Sequence, residues 1–115
     1  MNKVFRLILP LFFLASSHLQ ASVAQGVKIV RVHMLATPAP SGGVYITING
    51  PRSLDNCPGN DFEFYIDLNE QPRGALLYSH AMAAFKENYS VNIIGSDQCG
   101  GTYNVETIKD FQVFK

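Results

Sequence analysis

Apolar and polar residues alternate with period two in three separate stretches of this chain, then change to a helical spacing, then alternate again. In the first stretch, Val27–Leu35, Val30, Val32 and Met34 share one face while Ile29, Arg31 and His33 share the other. The second runs from Val44 to Asn49, with Val44, Ile46 and Ile48 opposite Tyr45, Thr47 and Asn49. The third, Asp61–Asp67, sets Phe62, Phe64 and Ile66 on a face to be buried and Glu63, Tyr65 and Asp67 on an outer face. Such alternation in β-branched and aromatic residues predicts strands. From Pro72 to Glu87 the apolar positions become Leu77, Tyr78, Ala81, Ala84 and Phe85, a single helical stripe. Pro72 suits a first helical turn and Asn88 suits a stop. A short strand follows over Val91–Ile94 and a last one over Asn104–Phe114. In the last strand the phase slips between Val105, Ile108, Phe111 and Val113, which predicts a bulge near Thr107. Residues 36–43, 52–60, 69–74 and 95–101 carry the Gly, Pro, Asn and Asp of loops.

The order is β-β-β-α-β-β. Five strands of this length bury their apolar faces by curling. The expected fold is all-β with one helix: a five-stranded oligonucleotide/oligosaccharide-binding-like barrel whose helix lies between strands three and four. The alternative is an α+β sheet with the helix across one face. Phe62, Phe64, Ile66, Val44, Ile46, Leu77, Ala81 and Phe85 form the expected core.

The N-terminus reads as a leader. Lys3 and Arg6 precede the apolar run 7–15, far shorter than the roughly 20 residues needed to span a bilayer. Ser22-Val23-Ala24 fits the small-x-small cleavage rule, with Ala21 as an alternative site. The expected division is a signal peptide over 1–24 and a single domain over 25–115. Loss of Lys3 and Arg6 leaves seven of the nine Lys/Arg against nine Asp/Glu, with no basic cluster. Phosphate neutralisation needs clustered cations, so nucleic acid is disfavoured as a partner. The absence of a second long apolar run argues against stable membrane insertion, and the protein is expected to be exported, either periplasmic or secreted.

Cys57 and Cys99 are the two cysteines. In an exported chain an even count reads as a disulfide. Closing a loop of roughly 40 residues is worth about 4 kcal/mol in the chain-entropy account. A metal centre would want further Cys or His at close spacing, and a redox centre would want Cys-x-x-Cys.

The stretches Cys57, FEFYID (62–67), GALLYSHAMAAFKENYSVNIIG (74–95) and Cys99 resemble a group of small exported bacterial proteins of uncharacterised function. Those in turn resemble the B subunits of subtilase-cytotoxin-like and pertussis-like toxins. The resemblance covers most of the chain after the leader. It implies an oligosaccharide-binding-type fold and, for the toxin branch, a homo-oligomeric, glycan-binding ring of five subunits. None of the matching motifs is catalytic, and no sugar-contacting residue carries over from the toxins.

No catalytic set, metal set or cofactor motif stands out. His33 and His80 read as surface or half-buried histidines, and no Gly-x-Ser-x-Gly elbow is present. Asp55, Asn56, Asn60 and Asp61 lack calcium-loop spacing and are explained by turn chemistry. Asn88-Tyr89-Ser90 matches a glycosylation acceptor by accident of composition. The candidate ligand-binding residues are Tyr45, Asn49, Tyr65 and Asp67, from the expected outer faces of strands two and three. Aromatic rings with amide and carboxylate groups suit a sugar. The function expected is a non-enzymatic, exported binding module for a glycan. The alternative is an envelope structural or interaction protein, or an inhibitor of an unknown partner.

Overall fold

The computed structural model describes residues 21–35, 42–54, 57–58 and 62–115. Residues 1–20 of the expected signal peptide (1–24) and the cluster Asp55, Asn56, Asn60 and Asp61 lie outside the described residues. The elements are β1 (Val23–Leu35), β2 (Gly43–Ile48), β3 (Phe64–Asp67), α1 (Arg73–Glu87), β4 (Ser90–Gly100) and β5 (Val105–Phe114). The expected order β-β-β-α-β-β is the observed one. The strands close into a barrel in the spatial order β1-β2-β3-β5-β4. All ladders are antiparallel except β3 with β5, which run parallel.

β1 makes closure possible by belonging to both halves of the barrel. Its first part pairs with β4, from Val23↔Ile94 to Lys28↔Ser90, and its second part pairs with β2, from Ile29↔Ile48 to Leu35↔Gly43. The change of partner coincides with register shifts between Ala24 and Val27 and between Ile29 and Arg31. Gly26, at φ 62°, takes the left-handed conformation the first irregularity requires. The strand therefore starts four residues earlier than the alternation of 27–35 indicates. The irregularity breaks the period-two pattern, so Val23 and Ala24 do not read as one run with Val27.

The phase slip in the last strand is real, but the extra residue is Lys109, not Thr107: Asp110 opposes Ile94 and Ile108 opposes Gly95. Arg73 at the start of α1 hydrogen-bonds the carbonyls of Ile108 (2.7 Å) and Lys109 (2.5 Å), giving the bulged backbone a partner. A second irregularity, between Gly95 and Cys99, lets β4 continue to Gly100. The expected loop at 95–101 is thus mostly strand.

Inside the barrel lie Val44, Ile46, Phe64, Ile66, Val91, Ile93 and Ile108, with Ala24, Val27 and Ile29 of β1. α1 packs against β1, β3 and β5 and contributes Ala81 and Ala84, with Leu77 and Tyr78 partly buried. Two core expectations are corrected. Phe85 is 39% exposed; the stripe is centred on the alanines, whose small side chains seat the helix against the barrel. Phe62 is buried, but in a different cluster from Phe64. Asn88 does stop the helix: it sits in the left-handed region and its N–H bonds Ala84 O. Cys57 and Cys99 lie at disulfide distance, with sulfurs 2.08 Å and Cα atoms 5.6 Å apart. Among the described residues, no helix is long and apolar enough to cross a membrane.

Candidate functional site

A second cluster lies on the outer face of the sheet. It comprises Tyr45, Phe62, Tyr65 and Val105, with Leu35 packed against it. Strand alternation sends Tyr45 and Tyr65 outward, away from the barrel interior, as the sequence indicates. They are nonetheless 0% and 2% exposed. What covers Tyr45 comes from elsewhere: Phe62, ahead of β3, and Tyr103, in the turn between β4 and β5; Tyr65 lies against Tyr45 and against the backbone of Gly43, Gly100 and Gly101. The Phe62 ring lies 5.1 Å and the Tyr103 ring 4.9 Å from that of Tyr45, and Tyr45 and Tyr65 stand 4.8 Å apart as register partners. The expectation of a solvated aromatic face at Tyr45 and Tyr65 is therefore corrected. The residue pattern of a strand gives the direction of a side chain, not what lies over it.

Both phenols are anchored. Tyr65 Oη donates to Gly42 O at 2.9 Å, and Tyr45 Oη accepts the Thr102 N–H at 2.8 Å. Burial, aided by the Asp67 carboxylate and by Tyr45, pushes the Tyr65 phenol from its ordinary 10.0 up to about 12. Glycines make the room. A Cβ at Gly43 would collide with the Tyr65 ring, and one at Gly101 would collide with Tyr45 Oη.

The other two expected ligand residues lie toward opposite ends of this face, Asp67 beside Tyr65 and Asn49 away from it. Asp67 pairs with Gly43 at one end of β2, half-buried, and its Oδ1 accepts the Asn69 N–H at 2.9 Å. Asn49 follows the opposite end, exposed, and its Oδ1 accepts the Lys28 N–H at 2.8 Å. At about 3.4 Å per residue the two ends are roughly 20 Å apart, so Tyr45, Asn49, Tyr65 and Asp67 do not form one site.

What is open to solvent lies over the buried tyrosines. His33 stacks on Phe62 at 5.4 Å and 28°, and lies 6.5 Å from the Tyr103 ring. Tyr103 is 38% exposed and packs on Phe62 at 5.5 Å. The Arg31 guanidinium sits 4.4 Å above the Phe62 ring, within cation–π range. Arg31 and His33 are successive outward residues of β1, in register with Thr47 and Tyr45 of β2. Thr47 Oγ1, on the same face, is buried with no hydrogen-bond partner among the described residues. The exposed layer of Arg31, His33 and Tyr103 thus rests on a buried aromatic floor of Phe62, Tyr45 and Tyr65. Sequence reasoning set His33 aside and did not single out Arg31, Phe62 or Tyr103 as site residues. The available signal was the alternation that puts Arg31 and His33 on one face of β1.

Among the described residues, hollows also lie away from this layer. A crevice beside the start of α1, lined by Asp67, Glu70, Arg73 and Thr107 among others, encloses about 10 Å³, room for one water at most. A wide, shallow depression of about 400 Å³ is lined by Val23, Gln25, Pro51, Arg52 and Ser53 and has no aromatic wall. Among the described residues, no group of three His, Cys, Asp or Glu is placed to hold a metal ion. Comparison with protein-family models, with curated proteins and with solved structures finds no match for this chain.

Proposed function

We propose that this chain is an exported, non-enzymatic binding module whose ligand surface is the aromatic layer of Arg31, His33 and Tyr103 over Phe62, and whose ligand is a glycan. One observation carries the reading: two partly open rings, His33 and Tyr103, are held on a buried aromatic floor. Pre-fixed rings lose little conformational freedom on binding. A sugar's apolar ring face stacks on an aromatic side chain, while imidazole, guanidinium and phenol groups bond its hydroxyls. In barrels of this connectivity, the strand two–three face and the loops after strands one and four carry oligosaccharide and oligonucleotide ligands. Tyr103 belongs to the latter loop. The absence of a basic cluster in the sequence favours sugar over nucleic acid. Export rests on the leader and on the cysteine pair, and the sequence resemblance to toxin B subunits agrees with a glycan and with assembly into a homo-oligomer.

The test is a glycan array followed by calorimetric titration of the hits. Tyr103→Ala and His33→Ala should each weaken binding roughly 5–10-fold, the equivalent of about 1–1.4 kcal/mol for one ring. Tyr65→Phe should leave affinity within about twofold, because its hydroxyl faces the protein. An array without hits refutes the glycan reading. It would favour the second reading, an envelope interaction protein or inhibitor, which the exposed apolar side chains of Val30 and Met34 on β1 support.

A further inference from the structure

Glu106 is a fully buried carboxylate, 0% exposed, on β5. Its neighbour is Ser22, also 0% exposed, the residue just before β1, which lies beside β4, the strand next to β5. Ser22 Oγ bonds Glu106 Oε1, and the Ser22 backbone nitrogen stands 3.3 Å from Glu106 Oε2. The Asp97 N–H donates to the same Oε2 at 2.9 Å, and Ser22 O accepts the Gly95 N–H at 2.8 Å. Gly95 leaves the space the carboxylate fills, since a Cβ there would collide with it. Among the described residues, no Lys, Arg or His side chain pairs with Glu106. An ionised carboxylate taken out of water calls for a cation as well as donors.

We infer that the leader is removed between Ala21 and Ser22, and that the α-ammonium group so created is the cation for Glu106. Water adds across the Ala21–Ser22 bond, catalysed by a leader peptidase. Hydroxyl goes to the Ala21 carbonyl carbon, and Ala21 departs as a carboxylate. The Ser22 nitrogen takes up protons to become an ammonium. That nitrogen is already within ion-pair distance of Oε2, so one amide donor becomes three ammonium donors without movement of the chain. A cut after Ala24, the small-x-small site, fits the fold badly. It removes the Ser22 hydroxyl and nitrogen from Glu106, takes buried Ala24 from the core and erases the pairs Val23↔Ile94 and Ala24↔Ile93. Ala21 supplies the small residue before the bond, although Leu19 stands where leaders favour a second small one.

The experiment starts with the full chain expressed in an exporting bacterial host and the intact mass of the purified product. A chain beginning at Ser22 is expected; one beginning at Gln25, or at any other residue, overturns the inference. Periodate then probes the pairing, because it oxidises a serine that bears a free α-amine. In the native protein Ser22 should react at least tenfold more slowly than in urea, and equal rates overturn the ion pair. Glu106→Gln completes the test in two forms, one beginning at Ser22 and one retaining Gln20-Ala21. The substitution should lower the folded-to-unfolded ratio at least tenfold more in the Ser22 form. Equal losses in both forms mean that Glu106 pairs with an amide and overturn the proposal.

Discussion

Gly101 holds the floor of the candidate site in place, and its replacement by alanine is the sharpest test of that geometry. The residue has φ 73°, and an added Cβ would collide with Tyr45 Oη while lying 3.0 Å from both Tyr45 Cζ and Tyr65 Cε1. Left-handed backbone at a non-glycine residue costs roughly 1–2 kcal/mol. Forcing a packed ring from its seat costs about 1–3 kcal/mol. Losing the bond from Thr102 N–H to the phenol costs about 1 kcal/mol. Gly101→Ala should therefore destabilise the fold by roughly 3–6 kcal/mol, a large part of the 5–15 kcal/mol typical of a domain. Tyr45→Phe alone should cost about 1 kcal/mol, because exposed Thr102 can turn its N–H to water. Phenylalanine also removes the atom struck by the new Cβ. The double variant should then be about 1–2 kcal/mol more stable than the sum of the single losses implies. Urea unfolding measures this as midpoint shifts at constant slope. Additive losses, or a Gly101→Ala cost below about 1 kcal/mol, would refute the account of how the phenol is seated.

Phe64→Ala should cost about 3–5 kcal/mol in the same assay and Phe85→Ala about 1 kcal/mol or less, since the first ring is fully buried and the second partly in solvent; equal costs would contradict the face assigned to α1. The raised Tyr65 phenol predicts a loss of stability in alkali. Unfolded, the group ionises near 10.0 and folded near 12, so between these values the unfolded chain holds fewer protons and stability falls as pH rises. Tyr65→Phe should flatten that part of a urea-midpoint profile taken from pH 9 to 11.5, and a profile as steep as the parent's would exclude Tyr65 as its source. Reduction of the Cys57–Cys99 pair, 42 residues apart in sequence, should lower stability by about 4 kcal/mol. Two thiols that alkylate without reductant in the native protein would mean the bond is absent.

The sequence carries the barrel more fully than the site. Periods of two and 3.6 locate every strand and the helix because each has one face toward a shared interior. Boundaries fail where the backbone leaves regular pairing, at Gly26 and after Gly95, since a bulge inverts the phase on which the reading depends; inside β5 the slip was legible, but not its position at Lys109. Tyr45 and Tyr65 were legible as outward residues. Their burial was not, because Phe62, which the alternation put on the inner face with Phe64, packs instead on Tyr45, and Tyr103 reaches the same ring from the turn after β4. The same reason hides Glu106: a lone acidic residue between Val105 and Thr107 looks like a solvated strand position until Ser22, 84 residues earlier, is seen beside it.

The parallel contact of β3 with β5 rests on one register pair, Tyr65↔Thr107, whereas β4 and β5 share a ladder from Ser90↔Phe114 to Gly100↔Val105. A cylinder held so unevenly should open first along that seam, and its amides should exchange with solvent sooner than those of the long hairpin. Yet the Cys57–Cys99 link stands beside it, for Cys99 is in register with Glu106, the neighbour of Thr107. The covalent tether ties the approach to β3 to the strand next to β5. A seam that opens remains within reach of its partner, so the barrel unlatches and recloses where an untethered edge would drift away and offer itself to another chain.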